Sequence, residues 1–224
     1  MPDVKVPAPT ARATPHLDVV PAGTVLHRVH SAAYPATSFN PNPSDSHYEG
    51  GRFCSYQGDG SHLPYLYAGF SERTAVMETL VRGIPFDERG WRRIRRASVR
   101  GRVLSRIETT CDIPLVGLMT LDQLAAVHQD EWLIHSTPDA YPRTRRWAAW
   151  IRGQAPEALG LRWPSKRDLG GSACILYEQD AATPLVKPVD AAPVPLDTAE
   201  GAALLNLLLA PARTRVDPPR RQGS

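Results

Sequence analysis

Cysteine is scarce in this chain and long apolar runs are missing, and each shortage removes a class of protein. Its three cysteines, Cys54, Cys111 and Cys174, are odd in number and far apart. They form no CxxC pair and have no histidines at zinc-ligand spacing, which argues against a disulfide framework and a structural zinc site. The seven histidines show no H-E-x-x-H or other metal spacing, so no metal is expected. No segment approaches the roughly 20 apolar residues of a membrane span. Residues 1–20 carry Pro2, Asp3, Lys5, Pro7, Pro9 and Pro15 and lack the continuous apolar core of a signal peptide. A reduced, cytoplasmic protein without membrane contact is the expectation. The formal net charge of +3 is too small to demand a polyanionic partner.

What is present suits one well-buried core: 224 residues, 42% hydrophobic and 22% charged. Residues 1–22 are rich in Pro, Ala and Thr, and residues 211–224 in Pro and Arg, so disorder is expected at both ends. The expected folded domain is 23–210, with Lys187 to Pro195 as a proline-rich connector. Val25 to His30 reads as a strand that puts Arg28 on the same face as Leu26. Residues 34–52 form a long loop dense in turn residues, a kind that is often functional. Tyr65 to Phe70 reads as a short strand, and Ser71 can cap a helix running to about Arg82 before Gly83 and Pro85. On that helix Val76, Leu80, Met77 and Val81 make the buried stripe. Glu78 lies about 160 to 200 degrees from Val76 and Leu80, off the stripe's centre.

Strand structure is also expected around Gly101 within 95–107 and at Ser172 to Tyr177. Helices are expected after a capping box at Thr120–Gln123, over Thr144 to Arg152, and over Thr198 to Leu209. Strands and helices mix without a βαβ rhythm, which predicts a single α+β domain with a mixed, twisted β-sheet core and flanking helices.

Five polar residues can carry chemistry. Arg52 follows two glycines in Gly50-Gly-Arg, which is also what an ordinary hairpin tip contains; Arg28 can equally be a surface arginine. As a pair, two planar guanidinium forks suit a pyrophosphate. Glu78 is either a solvated helical glutamate or a carboxylate that stabilises an oxocarbenium-like centre. Tyr67 is either core or a platform beside a flat ring. Ser165 has no Gly-x-Ser-x-Gly elbow around it, so it suits a hydrogen-bonding role better than that of a nucleophile. The arginine-rich run from Arg89 to Arg102, with Trp91, invites a nucleic-acid reading. No DNA- or RNA-binding motif accompanies it, and a solvated strand and loop is preferred.

Taken in order, Leu26-His-Arg28, Phe39-Asn-Pro41, Gly51-Arg-Phe53, Tyr65-Leu-Tyr67, Glu72 to Thr79, Tyr141 to Ala148 and Gly160 to Ser165 resemble the RES-domain family, over roughly residues 24–180. The resemblance implies a fold similar to ADP-ribosyltransferases and an activity that consumes NAD as substrate rather than cofactor. Nicotinamide is released, and ADP-ribose passes to inorganic phosphate or to water. It also implies the role of toxin in a toxin-antitoxin pair, neutralised by a helix-turn-helix antitoxin of Xre type. Carried across, the family's arginines match Arg28 and Arg52, its tyrosine Tyr67, its glutamate Glu78 and its serine Ser165. Glu78, Arg52 and Ser165 are then catalytic, and Arg28, Arg52, Tyr67 and Ser165 bind NAD. Some relatives carry an aromatic residue where this chain has Val29, a contact that Tyr34 or Tyr65 would have to supply. Transfer of ADP-ribose to a protein, and a non-catalytic basic module holding nucleic acid or an antitoxin, are the alternatives. The apolar run Ala202 to Ala210 offers a surface for a second copy or a partner, or packs on its own core.

Overall fold

Leu17–Val20, inside a span whose composition suggests disorder, opens the fold as strand β1. It pairs antiparallel with Ile113–Gly117 and buries Val20. At the other end Thr214–Val216 also forms a strand, burying Thr214 and Val216. The folded unit therefore extends beyond 23–210 at both ends. A few alternating apolar residues suffice for a strand once a partner edge supplies the backbone hydrogen bonds, a gain that composition does not reveal. The computed structural model describes residues 10–45, 49–56, 62–189 and 192–219. Residues 46–48 of the long loop and, of the terminal spans, 1–9 and 220–224 lie outside the described residues.

Strand β2 is Val25–Ser31, β3 is Tyr65–Gly69, and helix α1 is Glu72–Leu80. Ser71 caps α1 as expected, its side chain accepting from the Thr74 amide, and the helix stops before Gly83, whose φ is +68°. Short β4 (Arg92–Ile94) precedes β5 (Arg102–Thr109), with a 3-10 turn at Arg96–Ser98 where strand was expected to begin. Strand β6 is Ile113–Gly117. Helix α2 (Leu121–Ala126) starts at Thr120, whose hydroxyl accepts from the Gln123 amide. The reciprocal half of the box is displaced by one residue, with Gln123 Oε1 accepting from Met119.

Helix α3 is Glu131–His135, and α4 is Tyr141–Gln154, one turn longer at its start than the pattern predicts because Pro142 fits a first turn. Strands β7 (Gly160–Pro164) and β8 (Ser172–Tyr177) follow. The proline-rich connector holds two short strands, β9 (Val186–Pro188) and β10 (Val194–Pro195), which both pair with β5. Helix α5 (Ala199–Leu209), capped by Thr198, leads to β11 (Thr214–Val216).

The main sheet runs β1-β6-β7-β8-β3-β2-β5-β10, with β9 also on β5. Among the described residues its pairs are antiparallel except β6 with β7, and β11 pairs parallel with β4 in a separate ribbon. This is the mixed α+β architecture expected. Strand β8 is buried throughout and divides its side chains by parity. Ala173, Ile175 and Tyr177 join Trp147, Ile151 and Leu133 of the α3–α4 side, while Cys174 and Leu176 join Leu26, Leu66, Ile107 and Leu115. A third cluster seats Val76, Met77 and Leu80 of α1 against Leu205 and Leu209 of α5. Each such side chain contributes roughly 1.5–3 kcal/mol. The apolar run of α5 thus turns Ala202, Leu205 and Leu209 inward and leaves Leu207 exposed. Among the described residues no helix is long and apolar enough to cross a membrane.

Candidate active site

Strands β2 and β3 are neighbours in the sheet yet meet only at His27 and Gly69. β2 is otherwise committed to β5, paired from Val25 to Ser31, and β3 to β8, paired from Tyr65 to Gly69. The two strands therefore part, and a cavity of about 780 Å³ occupies the split. Its lining includes Arg28 of β2, Tyr67 of β3, Glu78 of α1, Arg52 of the long loop and Trp163 of β7. Ser165, just after β7, does not line the cavity but sits buried behind Glu78. All five residues singled out from sequence thus belong to one region, four at the cavity wall and one beneath it.

Ser165 organises a turn and a carboxylate at once. Its Oγ accepts from the amides of Arg167 (3.2 Å) and Asp168 (2.9 Å) and donates to Glu78 Oε1 at 2.6 Å. The turn is docked on the start of α1: Asp168 accepts from Thr74 Oγ1 (2.8 Å) and from Arg73 Nε (3.1 Å). Helix and turn hold Glu78 from two sides, which reduces the freedom a surface glutamate would have.

Arg52 is 4% exposed, and its Nε has no hydrogen-bond partner. Its guanidinium lies 5.9 Å from the ring centre of Tyr141 and 5.7 Å from that of Phe53. Burial lowers its pKa, offset in part by Tyr141 and Glu78. Arg28 spends one nitrogen on the loop, Nη1 donating to the carbonyls of Ala36 and Ser38, both at 2.7 Å. Burial pulls its pKa down to about 10. Two desolvated cations on one cavity create a local demand for an anionic ligand.

Tyr67 does more than offer a ring. Its hydroxyl accepts from the Phe53 amide at 2.8 Å, so it grips the turn that carries Arg52. Burial first, then the Cys54 thiol, pushes its pKa well up. Its ring packs edge-on against Trp163 at 6.0 Å and Tyr65 at 5.9 Å. Gly51 is what permits the grip, since a Cβ there would fall 2.6 Å from the Tyr67 hydroxyl. Of the two rings able to replace the aromatic missing at Val29, Tyr65 is buried with its hydroxyl accepting from Asn40 (2.9 Å), and Tyr34 is exposed at the cavity wall.

Sequence reasoning assigned no role to Thr144 or Arg145, although both stand in the stretch Tyr141 to Ala148 that carries the family resemblance. Thr144 Oγ1 donates to the Arg52 carbonyl at 2.6 Å. Arg145, 1% exposed, donates to the carbonyls of Gly51 (3.0 Å), Ser44 (2.7 Å) and Glu49. These bonds clamp the Arg52 loop on α4. The available signal was an arginine one turn after Tyr141 and one turn before Ala148, both apolar enough to be buried, a placement in which a charge must have partners.

The run Arg89 to Arg102 lies away from this cavity except for Arg102, which reaches its lining. Trp91, the ring on which a base would stack, is flanked by Arg213 at 5.6 Å and Arg215 at 5.5 Å. Among the described residues no group of three or more His, Cys, Asp or Glu side chains is placed to hold a metal.

The sequence matches the RES domain over residues 25–197, and the chain belongs to that family. Its fold is similar to that of a chain in the crystal structure of the M. tuberculosis MbcT-MbcA toxin-antitoxin complex. The TM-score is 0.55 and the identity 16%, over 86% of this chain and 92% of that one. No curated protein matches it in sequence.

Proposed function

We propose that this protein cleaves the nicotinamide–ribose bond of NAD and acts as the toxin of a toxin-antitoxin pair. The observation that carries the reading is the Glu78 carboxylate fixed by Ser165 at the wall of a cavity that also holds the buried Arg52 and the half-buried Arg28. At about 780 Å³ the cavity is within the roughly 300–1,000 Å³ range of organic-ligand sites. Family membership and the likeness to a chain crystallised with its antitoxin support the toxin role.

The chemistry asks little of an acid. The ring nitrogen of the bound nicotinamide is already cationic, so the departing group leaves neutral and the ribose becomes oxocarbenium-like. Glu78 faces that developing charge, and Ser165 holds its Oε1 so that no reorientation is needed. Arg52 and the free nitrogens of Arg28 bind the pyrophosphate. The Tyr67 and Trp163 rings keep the split dry where the nicotinamide lies. The acceptor is water or inorganic phosphate, and a helix-turn-helix antitoxin would neutralise the enzyme.

Purified protein incubated with NAD, with and without phosphate, is expected to release nicotinamide, and Glu78→Gln or Arg52→Ala to slow release by at least about 10²-fold. Intact NAD in both buffers, with folded protein confirmed by circular dichroism, would overturn the reading.

A further inference from the structure

Residues 84–102 hold seven arginines against two acidic residues, Asp87 and Glu88, and no lysine. A solvated strand and loop is what this run suggests in sequence, but the fold makes it half of a ribbon. Strand β4 pairs in parallel with β11, which brings Arg213 and Arg215 beside it from the far end of the chain. Ile94, Thr214 and Val216 are buried, Ile94 and Val216 in the cluster that joins α1 to α5, so the even-numbered positions face inward. Strand alternation then turns Trp91, Arg93 and Arg95 outward in one row and Arg213 and Arg215 in the other.

Two features distinguish this face from an ordinary solvated one. Arg93 and Arg215 stand directly opposite in the register, a like-charge pair that destabilises the ribbon carrying it. The nearby carboxylates are committed to backbone: Asp87 accepts from the amides of Arg89 (2.9 Å) and Trp91 (2.8 Å), and Asp197 from that of Gly101 (2.8 Å). Among the described residues the ribbon's one ion pair joins Arg93 to Asp217 at 3.4 Å, with both side chains more than half exposed, a kind worth little. The second feature is that the rings hold the cations. Arg213 lies 5.6 Å and Arg215 5.5 Å from the centre of Trp91, and Arg92 lies 4.0 Å from that of Phe86. A guanidinium seated on a ring keeps its N–H edge for an anion and loses less freedom on meeting one.

We infer that the β4–β11 ribbon is a docking surface for the phosphate backbone of duplex DNA, bound through charge. The cations are all arginines, whose planar forks fit phosphate oxygens. An acidic peptide would need a pocket for an apolar anchor, and the exposed ring beside the ribbon, Phe86, already carries Arg92 on its face. A single strand would need a free ring on which its bases stack, and Trp91 and Phe86 are both engaged by guanidiniums. Duplex DNA presents about one charge per 1.7 Å of axis, and its major groove, about 12 Å wide, admits a two-stranded ribbon, whereas that of an RNA duplex is too narrow. The surface is independent of NAD cleavage, since Arg93, Arg95, Arg213 and Arg215 do not line the cleft.

Fluorescence anisotropy of a labelled, mixed-sequence DNA duplex, titrated with the full chain from about 50 to 200 mM salt, tests this. Wild type is compared with Arg93→Gln/Arg215→Gln, with Arg93→Gln/Arg95→Gln at two exposed positions, and with Arg143→Gln/Arg146→Gln, which removes the same charge from the exposed side of α4. Circular dichroism melting establishes which variants are folded. Each phosphate contact adds about 0.9 to the slope of log affinity against log salt, so a folded ribbon variant should bind about 10-fold or more weaker at low salt and flatten the slope by about 2. The α4 variant should behave as wild type. No binding by wild type at the lowest salt, an unchanged slope in a folded ribbon variant, or an equal loss in the α4 variant overturns the surface. Duplex RNA, single-stranded DNA and polyglutamate are titrated alongside, and equal or tighter binding of any of them overturns the assignment to duplex DNA.

Discussion

The Ser165 hydroxyl donates to Glu78 Oε1 at 2.6 Å across 87 residues of chain. It is the bond on which the carboxylate's position depends, because the next donor, the Arg167 amide, is 3.4 Å away. Replacing Ser165 by Ala removes the short bond and also the acceptor for the Arg167 and Asp168 amides. We expect nicotinamide release to fall by about 10-fold or more and stability by about 1–3 kcal/mol. Activity within twofold of wild type would show that Glu78 is held by other means.

Gly51→Ala tests the contact between the Arg52 turn and β3. The added Cβ would meet the Tyr67 hydroxyl at 2.6 Å and its Cζ at 2.8 Å, and both belong to a ring wedged against Tyr65 and Trp163. The loop must shift, at a cost of about 1–3 kcal/mol in urea unfolding. NAD turnover should fall with it because Arg52 moves. An unchanged urea midpoint would show that the loop adapts freely.

Arg145→Lys is expected to be as harmful as Arg145→Met. The guanidinium fork reaches three carbonyls, those of Gly51, Ser44 and Glu49, and a single ammonium cannot reproduce that spread. Loss of buried hydrogen bonds to a charged group should cost about 3 kcal/mol or more. Full rescue by Lys in a denaturant titration would reduce Arg145 to a source of charge.

Acid should weaken the fold partly through His30. Its Nδ1 lies 2.9 Å from the Ser31 carbonyl and its Nε2 2.8 Å from Ser105 Oγ, an arrangement suited to the neutral ring. Burial first, opposed by the Ser31 carbonyl and helped by Arg28, lowers its pKa. A histidine with a lowered folded pKa binds fewer protons folded than unfolded, so its contribution is present above the unfolded value near 6.5 and is lost as pH falls below it. His27, lowered chiefly by burial, acts in the same direction. Urea midpoints measured from pH 7 to pH 5 should decline, and less steeply in His30→Gln. Identical slopes would remove His30 from the account.

Thiol chemistry should single out Cys111. Cys54 and Cys174 are buried, and burial pushes the Cys174 thiol up to about 12, whereas Cys111 is partly exposed. A maleimide added to the native protein should modify one site by mass spectrometry, and denaturant should release the other two.

Elements whose signal is local were legible in the chain. The alternation of Val25 to His30, the Ser71 cap, the glycine after α1 and the apolar spacing of Val76 and Leu80 depend on neighbours within a few residues, and the structure has each of them. The short strands were not. β1, β9, β10 and β11 have four residues or fewer and exist because β6, β5 and β4 offer them an edge. Two of them stand in proline-rich sequence, which edge pairing tolerates because one side of the strand forms no ladder.

The same division runs through the site. Residue type and order alone singled out Arg28, Arg52, Tyr67, Glu78 and Ser165, because guanidinium, phenol, carboxylate and hydroxyl have chemistry that does not depend on context. Whether those groups act together was decided by the packing. β2 and β3 are each committed to another partner, so they meet only at His27 and Gly69 and part beyond that pair, which opens the cavity. The Ser165 turn docks on α1 and delivers a hydroxyl to Glu78. Thr144 and Arg145 reach about a hundred residues back along the chain to hold the loop of Arg52. Contacts at that separation have no period and no local composition, and only the folded chain creates them.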